Sequence, residues 1–305
     1  MPSKLDEAIL KTLCYHDLFD YPLRWKEISR WLIKNTQKLS AINIESGNKN
    51  PLIIKKQGFY CLTGREKIIN LRKQRKIYSK DKIILTEKLV DFLKYIPSIK
   101  LVGVTGALAM ENAKRQDDID LFIITSANFL WTTRLLVTLY FELLGVRRRP
   151  SDQNVNNKIC LNMYLDENNL AIAETEHDIY LAHEILQMKP VIVKGDIYRK
   201  FIQANIWIKK YLPHAINYRV IVNTIKKRPS FFSRLKILII NNIRVMFFPF
   251  ETIIRVMQIR RMSKRKTIEI VRDGMIKFHP HDAHNRVISG YRQNLRRMKI
   301  QDSLT

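Results

Sequence analysis

Residues 101–125, LVGVTGALAMENAKRQDDIDLFIIT, constrain the fold of this chain more than any other segment. Val102 and Val104 alternate with Gly103 and Thr105, and Ile119, Leu121, Phe122, Ile123 and Ile124 form an apolar run of strand length. Between these two strands lie a small-residue turn, Thr105-Gly106-Ala107, and enough chain for one short helix. Asp118 and Asp120 stand two apart in the second strand, so both side chains leave the same face. Two carboxylates that close repel one another unless a cation lies between them, and Mg²⁺ bridging to substrate phosphates is the usual occupant. An acidic strand end in an ordinary α/β domain also yields Asp-x-Asp. The turn, the helix and the two flanking strands favour the metal reading.

The Gly106-Ala107 turn, its spacing to Asp118 and the strand Asp118-Ile119-Asp120-Leu121 resemble the nucleotidyltransferase superfamily typified by DNA polymerase beta. The resemblance covers residues 98–190, roughly, and implies an α+β fold with a mixed sheet flanked by helices. It further implies that Asp118 and Asp120 hold two Mg²⁺ ions and that Thr105, Gly106 and Ala107 receive a nucleoside triphosphate. The implied reaction moves a nucleoside monophosphate to a hydroxyl acceptor, with a third carboxylate from a neighbouring strand as general base. Two positions depart from the family's pattern. Ala107 stands where the family has serine, so Thr105 or backbone N–H groups must take over that phosphate contact. The next strand, KICLNMYL at 158–165, offers Asn162 where the third carboxylate belongs, and asparagine cannot accept a proton. Asp152, Asp166, Glu174 and Glu176 are the alternatives, with Glu174 ranked first as a catalytic residue. Arg134, near the start of a helix expected over 127–144, is a candidate phosphate contact. The departures keep a second reading open: a protein of this fold that binds nucleic acid or a partner without turnover. A small-molecule adenylyltransferase is a third, and it needs no basic C-terminal third.

That basic third is the other strong signal. The net charge is +26 over 305 residues, and residues 194–305 hold 25 Lys/Arg against 6 Asp/Glu. Beside a phosphoryl site this suggests RNA or DNA as a partner, although a Lys-rich surface alone gives the same count. Cys14, Cys61 and Cys160 are far apart with no CxxC, which argues for a reducing, cytoplasmic setting and against structural zinc. The N-terminus lacks the basic-then-apolar plan of a signal peptide and reads as the start of a domain. The apolar stretch 231–257 is interrupted by Arg234, Lys236, Arg244, Pro249, Glu251 and Arg255, so no membrane span is expected.

Four segments follow from the pattern. Residues 1–70 read as a winged helix: helices over 6–16 and 25–33, a third over 38–45, then a hairpin around Lys56-Gln57-Gly58. Its recognition helix, LSAINIES, has no basic residue beyond Lys38, so a docking role is as well supported as DNA reading. Residues 71–97 form a helical linker whose Arg72, Lys73, Arg75 and Lys76 face either nucleic acid or solvent. Residues 98–193 are the nucleotidyltransferase-like core, with an amphipathic helix over 176–188. Residues 194–305 are a basic helical region, including a helix over 198–211 and one over 285–298. His279, His281 and His284 lie close enough to hold zinc, but their Pro280/Asp282 setting suits a capped loop.

Overall fold

The computed structural model describes residues 4–36, 50–216, 250–263, 269–272, 274–278 and 282–300. The expected third helix at 38–45, most of the apolar stretch 231–257, and His279 and His281 lie outside the described residues.

The strands predicted from residues 101–125 form at the centre of the molecule. β4 (Ile99–Val104) runs antiparallel to β5 (Ile119–Thr125), and between them sits a single helical turn, α4 (Gly106–Ala109). β6 (Ile159–Asp166) lies parallel to β5 on its other side. Parallel neighbours need a crossover, which the 14-residue α5 (Leu130–Leu143) provides. β7 (Lys189–Val193) adds antiparallel to β4, and the hairpin β8 (Glu269–Arg272)–β9 (Met275–Phe278) adds antiparallel to β6. The six-stranded mixed sheet therefore has the order β7-β4-β5-β6-β9-β8.

The alternation of β5 sorts its side chains between two cores. Ile119, Leu121 and Ile123 pack under α5 with Val137 and Phe141. Phe122 and Ile124 pack on the opposite face, beneath α6 (Ile179–Gln187) and α7 (Ile197–Ala204). Helix α6 is capped by Asp178, whose Oδ1 accepts from the Leu181 N–H at 2.8 Å. His284, on the last helix α9 (Asp282–Arg297), bonds the other oxygen of that cap. The helix expected over 198–211 is broken at Asn205, a buried residue whose side chain bonds Leu170 O, Phe201 O and the Ile172 N–H.

Helices α1 (Lys4–Asp17) and α2 (Trp25–Trp31) accompany a three-stranded antiparallel sheet, β1 (Leu23–Arg24), β2 (Ile53–Lys56) and β3 (Phe59–Leu62). β2 and β3 are joined by the two-residue turn Gln57-Gly58, as the hairpin signal predicted. The core does not divide near residue 70. Leu13, Ile28 and Trp31 share one apolar cluster with Ile185 of α6, Phe201 of α7 and Tyr291 of α9.

The long helix α3 (Ile68–Val90) cements this join through the very arginines considered for nucleic acid. Arg72 pairs with Glu27 at 2.5 Å and lies over the Tyr21 ring, and Arg75 pairs with Asp20 at 3.1 Å. Both guanidinium groups are consequently occupied by internal partners. The expected helical C-terminal region also departs from expectation. Its β8–β9 hairpin completes the central sheet, since β6 would otherwise present an open edge. A helix over 250–263, α8, covers α5 on the other side, where Glu251 accepts from the Trp131 and Thr132 N–H groups. Among the described residues no helix is long and apolar enough to cross a membrane.

Candidate functional site

The site assembles where β4 ends, the turn reverses the chain, and β5 begins. The Thr105 N–H donates to Asp120 O at 3.0 Å, locking the turn onto the strand that carries the acidic pair. Gly106 then adopts φ +64°, and a Cβ there would stand 2.9 Å from Asp120 Oδ2. Glycine is required on both counts: an L side chain is strained at that φ and would strike the carboxylate. The loop leading to the pair is held from α3. Lys82 Nζ donates to Asp117 O at 2.7 Å and to the side-chain oxygens of Asn156 and Asn157, and the Ser79 hydroxyl accepts from the Ala113 N–H. Asp117 itself closes the loop by accepting from the Lys114 N–H, which leaves Lys114 and Arg115 exposed before the pair.

Asp118 and Asp120 share one face with Cys160, the parallel neighbour of Asp120 on β6. One ligand atom from each of the three lies within 4.8 Å of the others. Arg148 Nη1 reaches Asp118 Oδ2 at 2.5 Å and Cys160 Sγ at 3.9 Å. Burial and the neighbouring Asp118 push the Asp120 carboxyl above its ordinary range. Burial and the two aspartates likewise push the Cys160 thiol up, so it stays protonated at neutral pH. A protonated thiol is a poor ligand for a hard cation, whereas a pair of carboxylate oxygens suits Mg²⁺ that also binds phosphates. The donor set thus fits magnesium through Asp118 and Asp120.

Sequence reasoning placed two further residues here that the fold puts elsewhere. Arg134 lies on α5, the opposite layer of the sheet, where it bonds the Gln258 side chain of α8. Glu174 is exposed on a 3₁₀ turn, Glu174–Glu176, that precedes α6. Its neighbour Glu176 pairs with Lys277 and Arg272, and Asp166 accepts from the Asn128 N–H. Asp152 pairs with Lys158 at 2.8 Å. The reason is the same in each case: local sequence does not say which layer a crossover or turn will face.

The carboxylate near the pair on the covering helix is Glu184 of α6, which faces the Gly106 N–H. Burial raises its carboxyl to about 7, against the opposing charge of Lys277. Its signal in the sequence was the spacing Tyr180-Glu184-Met188, a polar shoulder beside the apolar stripe of the helix. Asn162 sits at a bulge, since Leu121 pairs with Leu161 and Phe122 with Met163. Asn162, Glu184 and Thr105 line one cavity beside Phe122, Ile185 and Phe201. No family model, no curated protein and no solved structure matches this chain.

Proposed function

We propose that this chain is a metal-dependent nucleotidyltransferase that moves a nucleoside monophosphate from a nucleoside triphosphate to a hydroxyl acceptor. The observation that carries the reading is the acidic pair of β5 set against a turn whose glycine abuts Asp120. Asp118 and Asp120 hold Mg²⁺, two ions in the resembled family, and the Thr105-Gly106-Ala107 turn receives the triphosphate. Bound Mg²⁺ supplies neutralisation of the charge that develops on the phosphate oxygens. The remaining work falls to the protein, which positions the reacting groups and keeps them from water. Lys114 and Arg115, exposed ahead of the pair, attract the incoming polyanion. Arg148 offsets the like charges of the two aspartates through its contact with Asp118.

Purified chain incubated with Mg²⁺ and each labelled nucleoside triphosphate, with and without RNA, should release pyrophosphate. Equal release by the wild type and by Asp118→Asn/Asp120→Asn would refute the catalytic reading.

A second reading rests on Ala107 and on Arg148 bound to Asp118. In it the fold is catalytically impaired and serves as a nucleic-acid- or partner-binding module. Its signature is nucleotide or RNA binding with no pyrophosphate, and the RNA binding weakens steeply across a salt series because phosphate contacts release counterions. The basic C-terminal third makes RNA or DNA the partner to try first, and the free, buried cysteines accord with a cytoplasmic setting.

A further inference from the structure

The cavity beneath α6 has about 90 Å³ of space. Its walls are apolar, from Phe122 on β5, Leu181 and Ile185 on α6 and Phe201 on α7, all buried. Its polar groups are Thr105, Asn162, Tyr180, Glu184 and Lys277, and Thr105 sits at the Gly106 turn, its N–H on Asp120 O. The Thr105 side chain is more than nine-tenths buried, and its hydroxyl has no hydrogen-bond partner. A buried hydroxyl left in that state costs free energy that a ligand's polar group can recover. An apolar cleft with a few polar groups is the usual form of a small-molecule site.

Among the described residues, most cations around the site other than Lys114 and Arg115 are taken up by internal partners. Arg148 is bound to Asp118, Lys158 to Asp152, Arg147 and Arg149 to Glu142, Lys277 to Glu176 and Lys189 to Glu111. A sugar-phosphate backbone needs cations that are free to meet it.

We infer that this cavity binds the acceptor, a small molecule with an apolar body and a hydroxyl group held at the Thr105 side chain and Glu184, while the triphosphate meets the backbone of the turn. The inference rests on the nucleotidyltransferase reading for the acceptor role, although not for binding itself. In the transfer step the acceptor oxygen forms a bond to the α-phosphorus, and the bond from that phosphorus to the bridging oxygen breaks. Pyrophosphate leaves with the electron pair, and Glu184 takes the hydroxyl proton and later returns it to solvent. Glu184 thus fills, from a helix, the role that Asn162 cannot fill from the strand.

The probe is 4-fluorobenzyl alcohol, followed by ¹⁹F NMR without nucleotide and then, with Mg²⁺ and α-labelled nucleoside triphosphates, by chromatography of labelled ester. Wild type should bind it, Ile185→Phe should weaken binding at least ten-fold by filling the space, and Thr105→Val about five-fold by removing the hydroxyl at constant shape. Glu184→Gln should lower ester formation about 100-fold while Mg²⁺-dependent nucleotide binding, measured by equilibrium dialysis, stays within two-fold. Pyrophosphate release and nucleotide binding with no alcohol bound, or with transfer to an RNA oligonucleotide alone, overturn this inference and leave the nucleotidyltransferase reading standing. Alcohol bound in the cavity with no nucleotide binding keeps the site and removes the transferase reading. Ester formation equal in wild type and Glu184→Gln overturns the role of Glu184.

Discussion

The two faces of the central sheet are built from the same strands and behave as different media. Under α5 the sheet meets Val137, Phe141 and Trp131, an apolar layer against which α8 packs. Under α6 the same strand presents Asp118 and Asp120, and the covering helix brings Glu184 and His183. An apolar face gains stability from burial alone, about 25 cal/mol per Å². A face that holds charge does so only where partners meet it, here Arg148, Lys277 and the turn's N–H groups. The lesson is that one strand can be the stabilising core on one side and a strained polar site on the other.

Four experiments break or sharpen that contrast. The largest effect is expected for Asp120→Asn, which should lower pyrophosphate release by about 10³-fold, as the loss of a key electrostatic group commonly does. The same variant should be more stable than wild type at pH 8, because burial disfavours the ionised carboxyl. Urea titration at that pH decides it, and a clear loss of stability would mean that the acidic face is not strained. On the other face, Phe141→Ala removes a fully buried ring and should cost about 3–5 kcal/mol. In a denaturant titration, a cost below about 1 kcal/mol would show the α5 layer to be loosely packed.

The third experiment uses pH, to which the buried titratable groups on the α6 side should respond. Burial raises Glu184 from 4.5 to about 7, so between those values the folded protein holds a proton that the unfolded chain has lost. Stability from this group therefore falls as pH rises through that window. His16, stacked edge-on to His183 at 5.2 Å, is shifted the other way by burial, from 6.5 to about 4. Between those values the unfolded chain holds the extra proton, so stability from His16 rises with pH. The two trends oppose each other in wild type. Glu184→Gln removes one of the two falling trends, Asp120 keeping the other. Between pH 4.5 and 6.5 the rise carried by His16 and His183 should then weigh more than in wild type. Chemical denaturation across that range should give a shallower slope for wild type, and equal slopes would remove Glu184 from the account.

The smallest effect belongs to Arg134→Ala. Because Arg134 meets Gln258 on the α5 side, nucleotide affinity by equilibrium dialysis should change less than two-fold. A ten-fold loss would mean that the two faces communicate.

Much of the site was legible because its signals are local. The alternation of 101–104, the small-residue turn and the Asp118/Asp120 spacing specify strand, reversal and shared face within 20 residues or so, and the structure places them together. Glu174 was not separable from Glu184 by such means. Both lie in acidic, helix-forming sequence, and only the packing of α6 on the sheet puts one inside and leaves the other exposed. Arg72 and Arg75 misled for the same reason, since a basic run reads alike whether it meets solvent, nucleic acid or Glu27 and Asp20. Strands β7, β8 and β9 were missed because each is only four or five residues long and lies in a segment read as helical or as the end of a helix, whereas β2 and β3, equally short, were marked by their turn.

By itself, then, the sequence determined the central hairpin-like unit, the pairing of two carboxylates on one face and the uneven charge of the chain. Those depend on backbone periodicity and covalent neighbours, which act within a few residues. Tertiary structure alone decided that α6 covers the acidic face, that Arg148 and Glu184 join it, and that the N-terminal helices share its core. These are contacts between residues 30 to 280 positions apart, and they follow from which apolar surfaces bury one another rather than from any local pattern.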